Sequence, residues 1–246
     1  QQERTALGLR AVNPQQLHIM PETANRNLNQ EPAIEIHGLT FNRGQRQVLD
    51  IRHLAIPKGA IVAVIGENGA GKSTLSLCLA GLLRHNGTIM IEGKTVPNKR
   101  LPETAFLVMQ EAGHQLFSDS VMGELTLNNP SLTEEQAQAV LRELGLAGLE
   151  NRHPGSLSGG QQQRLALATA ICNRRPVMLY DEPTSGQDGD NLLRTVEIIR
   201  KANENAVCSL IVSHDPELIG RCATHILHIH AGEVKKLLAL DERGNI

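Results

Sequence analysis

A single glycine-rich stretch, residues 66–74, constrains the fold more than any other part of this chain. It reads GENGAGKST and matches the pattern G-x-x-x-x-G-K-[ST]. The apolar run before it, residues 61–65, predicts a buried strand, and the leucine-rich stretch after it predicts a helix that ends near Gly87. Because glycine lets a loop fold tightly, backbone N–H groups can converge on phosphate oxygens. The stretch therefore predicts a phosphate-binding loop.

Two side chains at the end of this stretch predict what the loop binds. Lys72 is placed to reach the β- and γ-phosphates of a nucleotide, and the Ser73 hydroxyl is placed to bind Mg²⁺. The alternative is a glycine-rich turn with a solvated lysine. It is disfavoured because the pattern lies between a strand and a helix, as phosphate binding requires.

The rest of the chain predicts an α/β fold. Apolar runs at residues 106–109, 177–180 and 210–212 predict further buried strands, and helical stretches lie between them. Shorter apolar runs between residues 34 and 56, broken by glycines, predict antiparallel strands. Residues 131–175 are mostly helical in pattern. We expect a parallel-sheet core with an antiparallel β region and a helical insert.

Polar side chains follow each of the later strand runs. Gln110 follows one, Asp181 and Glu182 follow the next, and His214 comes shortly after the last. Ligands of open α/β sheets bind outside the carboxyl ends of the strands, so these groups are expected near the phosphate-binding loop. Asp181 is predicted to bind Mg²⁺, and Glu182 is placed to orient or deprotonate a water molecule.

A second glycine motif, residues 157–161, reads LSGGQ and precedes a helical stretch. Ser158 can cap that helix, and Gly159 and Gly160 leave backbone N–H groups open to an anion. Ser-Gly-Gly alone fits an ordinary capped helix equally well, and one nucleotide does not obviously need two such sites in one chain.

These motifs together resemble the ATP-binding-cassette (ABC) family over about residues 33–236. In chain order, residues 66–74 resemble the Walker A loop, Gln110 the Q-loop, residues 157–161 the signature motif, residues 177–182 Walker B, residues 185–188 the D-loop and His214 the switch histidine. The resemblance implies a P-loop NTPase parallel-sheet core with an antiparallel β subdomain and a helical signature subdomain, the ABC nucleotide-binding domain. It also implies ATPase activity with ATP and Mg²⁺.

The resemblance further implies a head-to-tail pair of cassettes, in which each ATP lies between one Walker A loop and the other cassette's signature. Glu182 is then the catalytic base, His214 contacts the γ-phosphate, and Asp188 acts across the pair. The residues expected to contact ATP are Arg43, Gly66, Asn68, Gly69, Gly71, Lys72, Ser73, Thr74, Ser158, Gly159, Gly160, Gln161 and Asp188. Those expected in catalysis are Lys72, Gln110, Glu182 and His214, and those expected to bind Mg²⁺ are Ser73, Gln110 and Asp181.

Two positions depart from the family pattern. Arg43, with Phe41 nearby, falls where an aromatic residue often stacks on adenine, and its guanidinium plane can stack instead. Gln187 stands in the D-loop where a small or aliphatic residue is usual, which bears on coupling between the two sites.

Residues 1–32 differ in composition from the rest. They are rich in glutamine, asparagine and proline and have no sustained apolar period, so we expect a linker or disordered tail before an ABC ATPase domain at residues 33–246, with a helical insert at about 111–175. The chain begins with Gln1, so either the start was removed or the chain is an excerpt of a longer polypeptide, such as the second half of a tandem ATPase.

Composition excludes several functions. The net charge is −2 and aromatic residues make up 2%, so neither a basic nucleic-acid surface nor a base-stacking platform is expected. The four cysteines form no CxxC pair, which favours free thiols. A metal site at His225, His228 and His230 is conceivable, but outward positions of a C-terminal strand explain these histidines better.

The expected role is the ATPase subunit of a membrane transporter, bound peripherally on the cytoplasmic side of the membrane to an integral membrane subunit. Residues 115–117, Gln-Leu-Phe before an acidic helix, resemble the energy-coupling-factor (ECF) importers of vitamins and metal ions. The leading alternative is a soluble ABC ATPase acting on ribosomes or DNA. A P-loop kinase outside this family leaves residues 157–161 unexplained.

Overall fold

Two β-sheets and the helices around them make up the part of the chain that the computed structural model describes: residues 32–127, 129, 131–185, 189–204 and 206–240. The strands are β1 Pro32–Arg43, β2 Arg46–Pro57, β3 Ile61–Ile65, β4 Asn86–Ile91, β5 Lys94–Thr95, β6 Ala105–Val108, β7 Val177–Asp181, β8 Cys208–Val212, β9 His225–His230 and β10 Glu233–Ala239. The α-helices are α1 Lys72–Leu79, α2 Leu101–Thr104, α3 Val121–Thr126, α4 Glu134–Glu143, α5 Gly159–Asn173, α6 Gly189–Glu204 and α7 Pro216–Cys222. Short 3₁₀ turns lie at Asn98–Arg100, Ala112–Gln115 and Pro154–Ser156.

The larger sheet has six strands in the order β10-β9-β3-β8-β7-β6. Its strands pair in parallel except β10, which pairs antiparallel with β9 at one edge. β3 and β8 are buried at every residue, because helices or the smaller sheet cover both faces of these central strands. The four strands predicted from the apolar runs are therefore present, but β6, at the sheet edge, is only half-buried at Phe106 and Leu107. The carboxyl ends of β3, β8, β7 and β6 share one edge.

The smaller sheet is antiparallel, in the order β2-β1-β4-β5. Its inner side shares one hydrophobic core with α1 and one face of the larger sheet, including Ile34, Ile56, Val64, Leu75 and Leu79. A second core lies on the other face of the larger sheet and includes residues from the helices α3 to α6. The predicted α/β class, with separate parallel and antiparallel sheets, is confirmed.

The helix after the phosphate-binding loop is shorter than the sequence predicted. α1 ends at Leu79, and Gly87, the expected end, lies in β4. The chain leaves the helix through Gly81, whose φ of +72° is in the left-handed region, while the Leu82 N–H donates to the Leu77 carbonyl at 2.9 Å. Gly81 is thus the residue that ends the helix, because glycine adopts this backbone conformation without a steric penalty.

The predicted linker at residues 1–32 lies outside the described residues except for Pro32, which begins β1. Among the helices of the described residues, none is long and apolar enough to cross a membrane.

All four cysteines are free and buried, at positions 78, 172, 208 and 222. Burial raises the pKa of Cys172 to about 11 and the pKa of each of the other three to about 12. Since the thiolate is the reactive form, both access and ionisation oppose reaction in the folded protein.

We therefore expect the native chain at pH 8 to be inert to an aromatic disulfide reagent such as DTNB, and all four thiols to react once guanidinium unfolds it. Absorbance of the released thiolate measures this. A thiol that reacts in the native protein as fast as in the unfolded one would contradict the burial described.

Candidate nucleotide-binding site

A cleft of about 780 Å³ opens at the carboxyl edge of the larger sheet, between the phosphate-binding loop and the β1–β2 hairpin. Several predicted site residues line it together: Arg43, Asn68, Gly69, Gly71, Lys72, Ser73, Thr74, Gln110, Asp181, Glu182 and His214. The structure thus brings the strand-end side chains predicted from β3, β6, β7 and β8 to one place. The volume suits a ligand the size of a nucleotide.

Glycine is required in the loop because the backbone approaches other segments closely. Gly66 has a φ of +151°, and a Cβ there would lie 2.1 Å from the Ile229 carbonyl oxygen of β9. Gly71, with a φ of +106°, caps α1, and a Cβ there would lie 2.7 Å from Leu49 Cδ2 of β2. The backbone contact at Gly66 leaves no room for a side chain, and the φ of Gly71 would strain any other residue, so the loop requires glycine at both positions.

Lys72, the first residue of α1, is buried with its ammonium group folded back over the loop. Its Nζ donates to the Gly66 carbonyl at 2.8 Å and to the Glu67 carbonyl at 3.0 Å. Burial lowers the pKa of Lys72, and the charges of Glu182 and Asp181 partly offset that effect. The arrangement holds a cation at the centre of the loop, where an anionic ligand would compensate its lost hydration.

Ser73 and Asp181 join α1 to the end of β7. The Ser73 hydroxyl donates to Asp181 Oδ1 at 3.1 Å. Burial raises the pKa of Asp181, while the hydrogen bond from Ser73 and the charge of Lys72 act in the opposite direction. A hydroxyl and a carboxylate in contact are oxygen donors of the kind that Mg²⁺ prefers, so these residues fit the predicted metal. Gln110 lines the same cleft and offers a further oxygen.

Glu182 follows Asp181 with an unusual backbone. Its φ is +47°, in the left-handed region, and its N–H donates to the Val212 carbonyl of β8 at 2.8 Å. Ser213 Oγ lies 3.4 Å from one carboxylate oxygen of Glu182, and His214 Nε2 lies 3.7 Å from the other. Non-glycine residues held in this conformation cost free energy and cluster at functional sites, so neighbouring strands hold this carboxylate in place against local strain.

Arg43 lies at the end of β1 and lines the cleft, as predicted for the base-contacting position. The prediction missed Arg46, which pairs with Arg43 across the hairpin turn and lines the same cleft. The signal was in the sequence: Gly44, with a φ of +62°, makes the tight turn that places these residues opposite each other.

The second glycine motif does not reach this cleft. Ser158 caps α5 in a capping box: its Oγ accepts from the Gln161 N–H at 3.4 Å, and Gln161 Oε1 accepts from the Ser158 N–H at 2.9 Å. Gly159 and Gly160 are exposed and line a separate cleft of about 480 Å³ beside Gln110. None of residues 157–161 lines the larger cleft. Gln187 and Asp188 lie outside the described residues.

Comparison with known proteins gives one family. Residues 49–185 match the family described as ABC transporter. A Treponema denticola protein provisionally named an ABC transporter ATP-binding protein is 35% identical over 212 residues, 86% of this chain and 43% of its own length. The provisionally named HMP/thiamine import ATP-binding protein YkoD of Bacillus subtilis is 34% identical over 81% of this chain and 38% of its own length.

A third relative is covered more fully. The energy-coupling factor transporter ATP-binding protein EcfA of Methanothermobacter thermautotrophicus is 32% identical over 74% of this chain and 62% of its own length. The chain spans less than half the length of the first two relatives and nearly two thirds of this one.

Solved structures agree on the fold. The structure titled as an ATP binding subunit of an ABC transporter superposes with a TM-score of 0.74 at 24% identity, over 85% of this chain and 91% of that one. CbiO1 of Clostridium perfringens, part of the complex CbiONQ, gives a TM-score of 0.72 at 24% identity, over 85% of this chain and 89% of that one. The chain therefore belongs to the ABC transporter family, and its fold is that of an ATP-binding-cassette ATPase domain.

Proposed function

We propose that this chain binds and hydrolyses ATP with Mg²⁺ and thereby powers a membrane transporter. The observation that carries the proposal is the single cleft in which Lys72, Ser73, Asp181, Glu182 and His214 meet at the ends of three neighbouring strands. Phosphoryl transfer needs positioning and charge neutralisation, and this cleft supplies a cation, oxygen donors and a carboxylate at one edge of a rigid sheet.

The loop is assigned to the phosphates. The backbone N–H groups of residues 66–74 and the Lys72 ammonium would hold the β- and γ-phosphates, with the N-terminus of α1 adding partial positive charge. Ser73, Asp181 and Gln110 would hold Mg²⁺, which when bound neutralises charge on the phosphate oxygens. Arg43 would stack on the base, and Arg46 gives the same side of the cleft a second guanidinium.

Glu182 is assigned as the base. Its carboxylate would accept a proton from the water molecule that attacks the γ-phosphate, and a hydrogen bond from Ser213 orients it. His214, with its imidazole near the same carboxylate, would contact the γ-phosphate. Glu182 directly follows β7 and His214 lies two residues after β8, so the pairing of these adjoining strands brings the two side chains together.

A complete site would need a second cassette. Since residues 157–161 lie outside the cleft of their own chain, Ser158, Gly159, Gly160 and Gln161 are proposed to close the ATP site of a partner cassette, with Asp188 acting across the pair. The partner is a second copy or another half of a tandem polypeptide. The ordinary helix-cap alternative predicts that these residues affect folding alone.

Replacing Glu182 with Gln tests the base assignment. Gln keeps the size and backbone conformation but accepts no proton, so we expect the steady-state ATPase rate to fall about 100-fold or more. ATP binding, measured with a fluorescent ATP analogue, should remain. Glu103→Gln, which alters an exposed carboxylate outside the cleft, is the matched control and should hydrolyse ATP normally. Unchanged hydrolysis in Glu182→Gln would refute the assignment.

The transporter class is proposed from several observations. Two relatives, YkoD and EcfA, are named as an HMP/thiamine import ATP-binding protein and an energy-coupling factor transporter ATP-binding protein. The local Gln-Leu-Phe run at residues 115–117 resembles the same class. We therefore propose an ECF-type importer of a vitamin or metal ion, with the chain bound peripherally to the cytoplasmic side of the membrane through an integral membrane subunit.

The segment after Gln110 is the proposed docking surface for that subunit. Phe117 is 77% exposed, which is unusual for a large apolar side chain. The buried carboxylate of Glu124 in α3 accepts from the Phe117 N–H at 2.9 Å and the Ser118 N–H at 2.8 Å. Hydrogen bonds to Glu124 thus fix the backbone of the segment that borders the groove beside Gln110 and residues 114–124. The same segment exposes an apolar side chain, as a helix-binding surface requires.

Phe117→Ser tests this surface. We expect the variant, expressed in the intact parent polypeptide, to lose most of the integral membrane protein recovered in a pull-down from detergent-solubilised native membranes, because an exposed aromatic anchor is removed. Isolated ATP binding should not change. Leu82→Ser, which also removes an exposed large apolar side chain, should recover the membrane protein normally. Recovery of ribosomal or DNA-repair proteins in place of a membrane subunit would overturn the transport assignment and leave the ATPase chemistry standing.

A further inference from the structure

A cluster of metal-ligand side chains lies on the outer side of the antiparallel sheet, apart from the nucleotide cleft. Glu35 and His37 are two residues apart on β1, so they share one face. His53 on β2 is the register partner of His37. Their neighbours Ile34, Ile36 and Leu54 are buried in the core. The two histidines are exposed and Glu35 is half-buried, so the cluster is open to ions from solvent.

The distances within the cluster fit a single ion. His37 Nε2 lies 2.8 Å from Glu35 Oε1, and His53 Nε2 lies 3.5 Å from the same oxygen. One ligand atom from each residue lies within 4.8 Å of the other two. In a tetrahedral zinc site with ligands at about 2.0–2.1 Å, neighbouring ligand atoms are about 3.4 Å apart. The two distances to Glu35 Oε1 lie on either side of that value, and the third separation is within 4.8 Å, so side-chain rotation can bring the three atoms to tetrahedral spacing.

The local backbone explains why these side chains meet. Alternation of buried and exposed residues breaks at the same level in both strands: residues 37 and 38 are both exposed in β1, and residues 52 and 53 are both exposed in β2. Gly38 has a φ of +61° at this point. The two strands stay in register at this level, which keeps His37 opposite His53, with ring centroids 5.1 Å apart and planes tilted by 47°. Both imidazoles therefore converge on the Glu35 carboxylate.

We propose that Glu35, His37 and His53 bind one divalent transition-metal ion of the zinc class, with water in the remaining coordination position. Two imidazoles and a carboxylate are a ligand set that zinc uses when it keeps one position open. The other register partners of Glu35 and His37 are Ala55 of β2 and Met90 and Thr88 of β4, and none of the three carries a positive charge. In the part of the chain that the structure describes, no other group of three such ligands comes together.

The site would brace the hairpin that reaches the nucleotide cleft. β1 and β2 continue from His37 and His53 to the turn that carries Arg43 and Arg46. An ion held by ligands from both strands links them at mid-length, and it binds the folded chain in preference to the unfolded one. Zinc binding should therefore raise the thermal unfolding midpoint even in the absence of nucleotide.

The test uses the 246-residue chain, stripped of metal with EDTA and free of nucleotide, with Zn²⁺ as the probe. Competition with a chromophoric chelator should show one Zn²⁺ per chain, and the unfolding midpoint should rise with Zn²⁺. His37→Gln and His53→Gln should each weaken binding by at least about tenfold, since even loss of an outer-shell partner costs about 10- to 100-fold. Both variants should also lose the Zn²⁺-dependent rise.

Three controls isolate the cluster. His153→Asn changes an exposed histidine elsewhere. In the parent, His153 Nδ1 accepts a hydrogen bond from the Gly155 N–H, and the Asn side-chain oxygen can replace that acceptor. This variant should therefore bind Zn²⁺ as the parent does. Asp181→Asn should also bind Zn²⁺ normally, which separates this site from the proposed Mg²⁺ site. His228→Asn tests the histidine run of β9 and should likewise have no effect. Unfolding midpoints in EDTA check that each variant is folded.

Three results would overturn the proposal: no stoichiometric Zn²⁺ binding, undiminished binding in the His37→Gln and His53→Gln double variant, or loss of binding in His228→Asn. The first would show that carboxylate–imidazole hydrogen bonds alone account for the cluster. Substitution with Co²⁺ gives independent evidence, since a tetrahedral site should produce visible absorption bands that disappear in His53→Gln. None of these readouts involves ATP, so their failure would leave the proposed ATPase function untouched.

Discussion

The close approach of three glycine backbones to neighbouring strands is the constraint on which the rest of the site depends. A Cβ on Gly66 would meet the Ile229 carbonyl, one on Gly71 would meet Leu49, and one on Gly232 would lie 2.4 Å from the Val48 carbonyl. These contacts lie where the phosphate-binding loop, β9 and the β1–β2 hairpin come together. Backbone hydrogen bonds from Gly232 to Ala70 and from Asp50 to Gly232 hold the same junction. The loop is therefore shaped by both sheets.

This junction explains why the cleft has two unlike walls. The larger sheet supplies the loop and the strand-end carboxylates, whereas the antiparallel sheet supplies Arg43 and Arg46. Because the two sheets share one hydrophobic core through α1, the walls are fixed relative to each other by packing. A ligand that contacts the Lys72 ammonium, the Asp181 carboxylate and the Arg43 guanidinium together would therefore find these groups already held in place.

The charges in the cleft are held at a cost in stability. Burial lowers the pKa of Lys72 and raises the pKa of Asp181, so in both residues the fold opposes the charged form. The left-handed backbone conformation of Glu182 is a further cost to the stability of the fold. The folded chain binds the Asp181 proton more tightly than an unfolded chain does, so this group reduces stability as pH rises above the usual aspartate range. Such a concentration of unfavourable terms is typical of residues retained for function.

Local patterns predicted the parts of this fold that depend on short stretches of chain. The buried strands followed from apolar runs, and the loop followed from its glycines and its position before α1. The predicted end of α1 was wrong because both Gly81 and Gly87 can end a helix. The pairing of β4 with β1, which places Gly87 in a strand, cannot be read from the local sequence. Arg46 and the Glu35, His37 and His53 cluster were missed because both depend on cross-strand register. The family resemblance, rather than any local pattern, predicted that Ser158 lies away from the cleft of its own chain. Asp188 lies outside the described residues.

The β1–β2 hairpin links the two proposals physically without making either depend on the other. Its tip lines the nucleotide cleft, its inner side packs on α1 and β3, and its outer side carries the histidines. A ladder of antiparallel pairs runs from Pro32 opposite Pro57 to Arg43 opposite Arg46. An ion bound at mid-ladder would link the two strands next to Gly38, where the alternation of buried and exposed residues breaks. A bound ion would therefore order the wall of the cleft that the antiparallel sheet forms. Asp181 and Glu182 lie in the opposite wall, which the larger sheet forms.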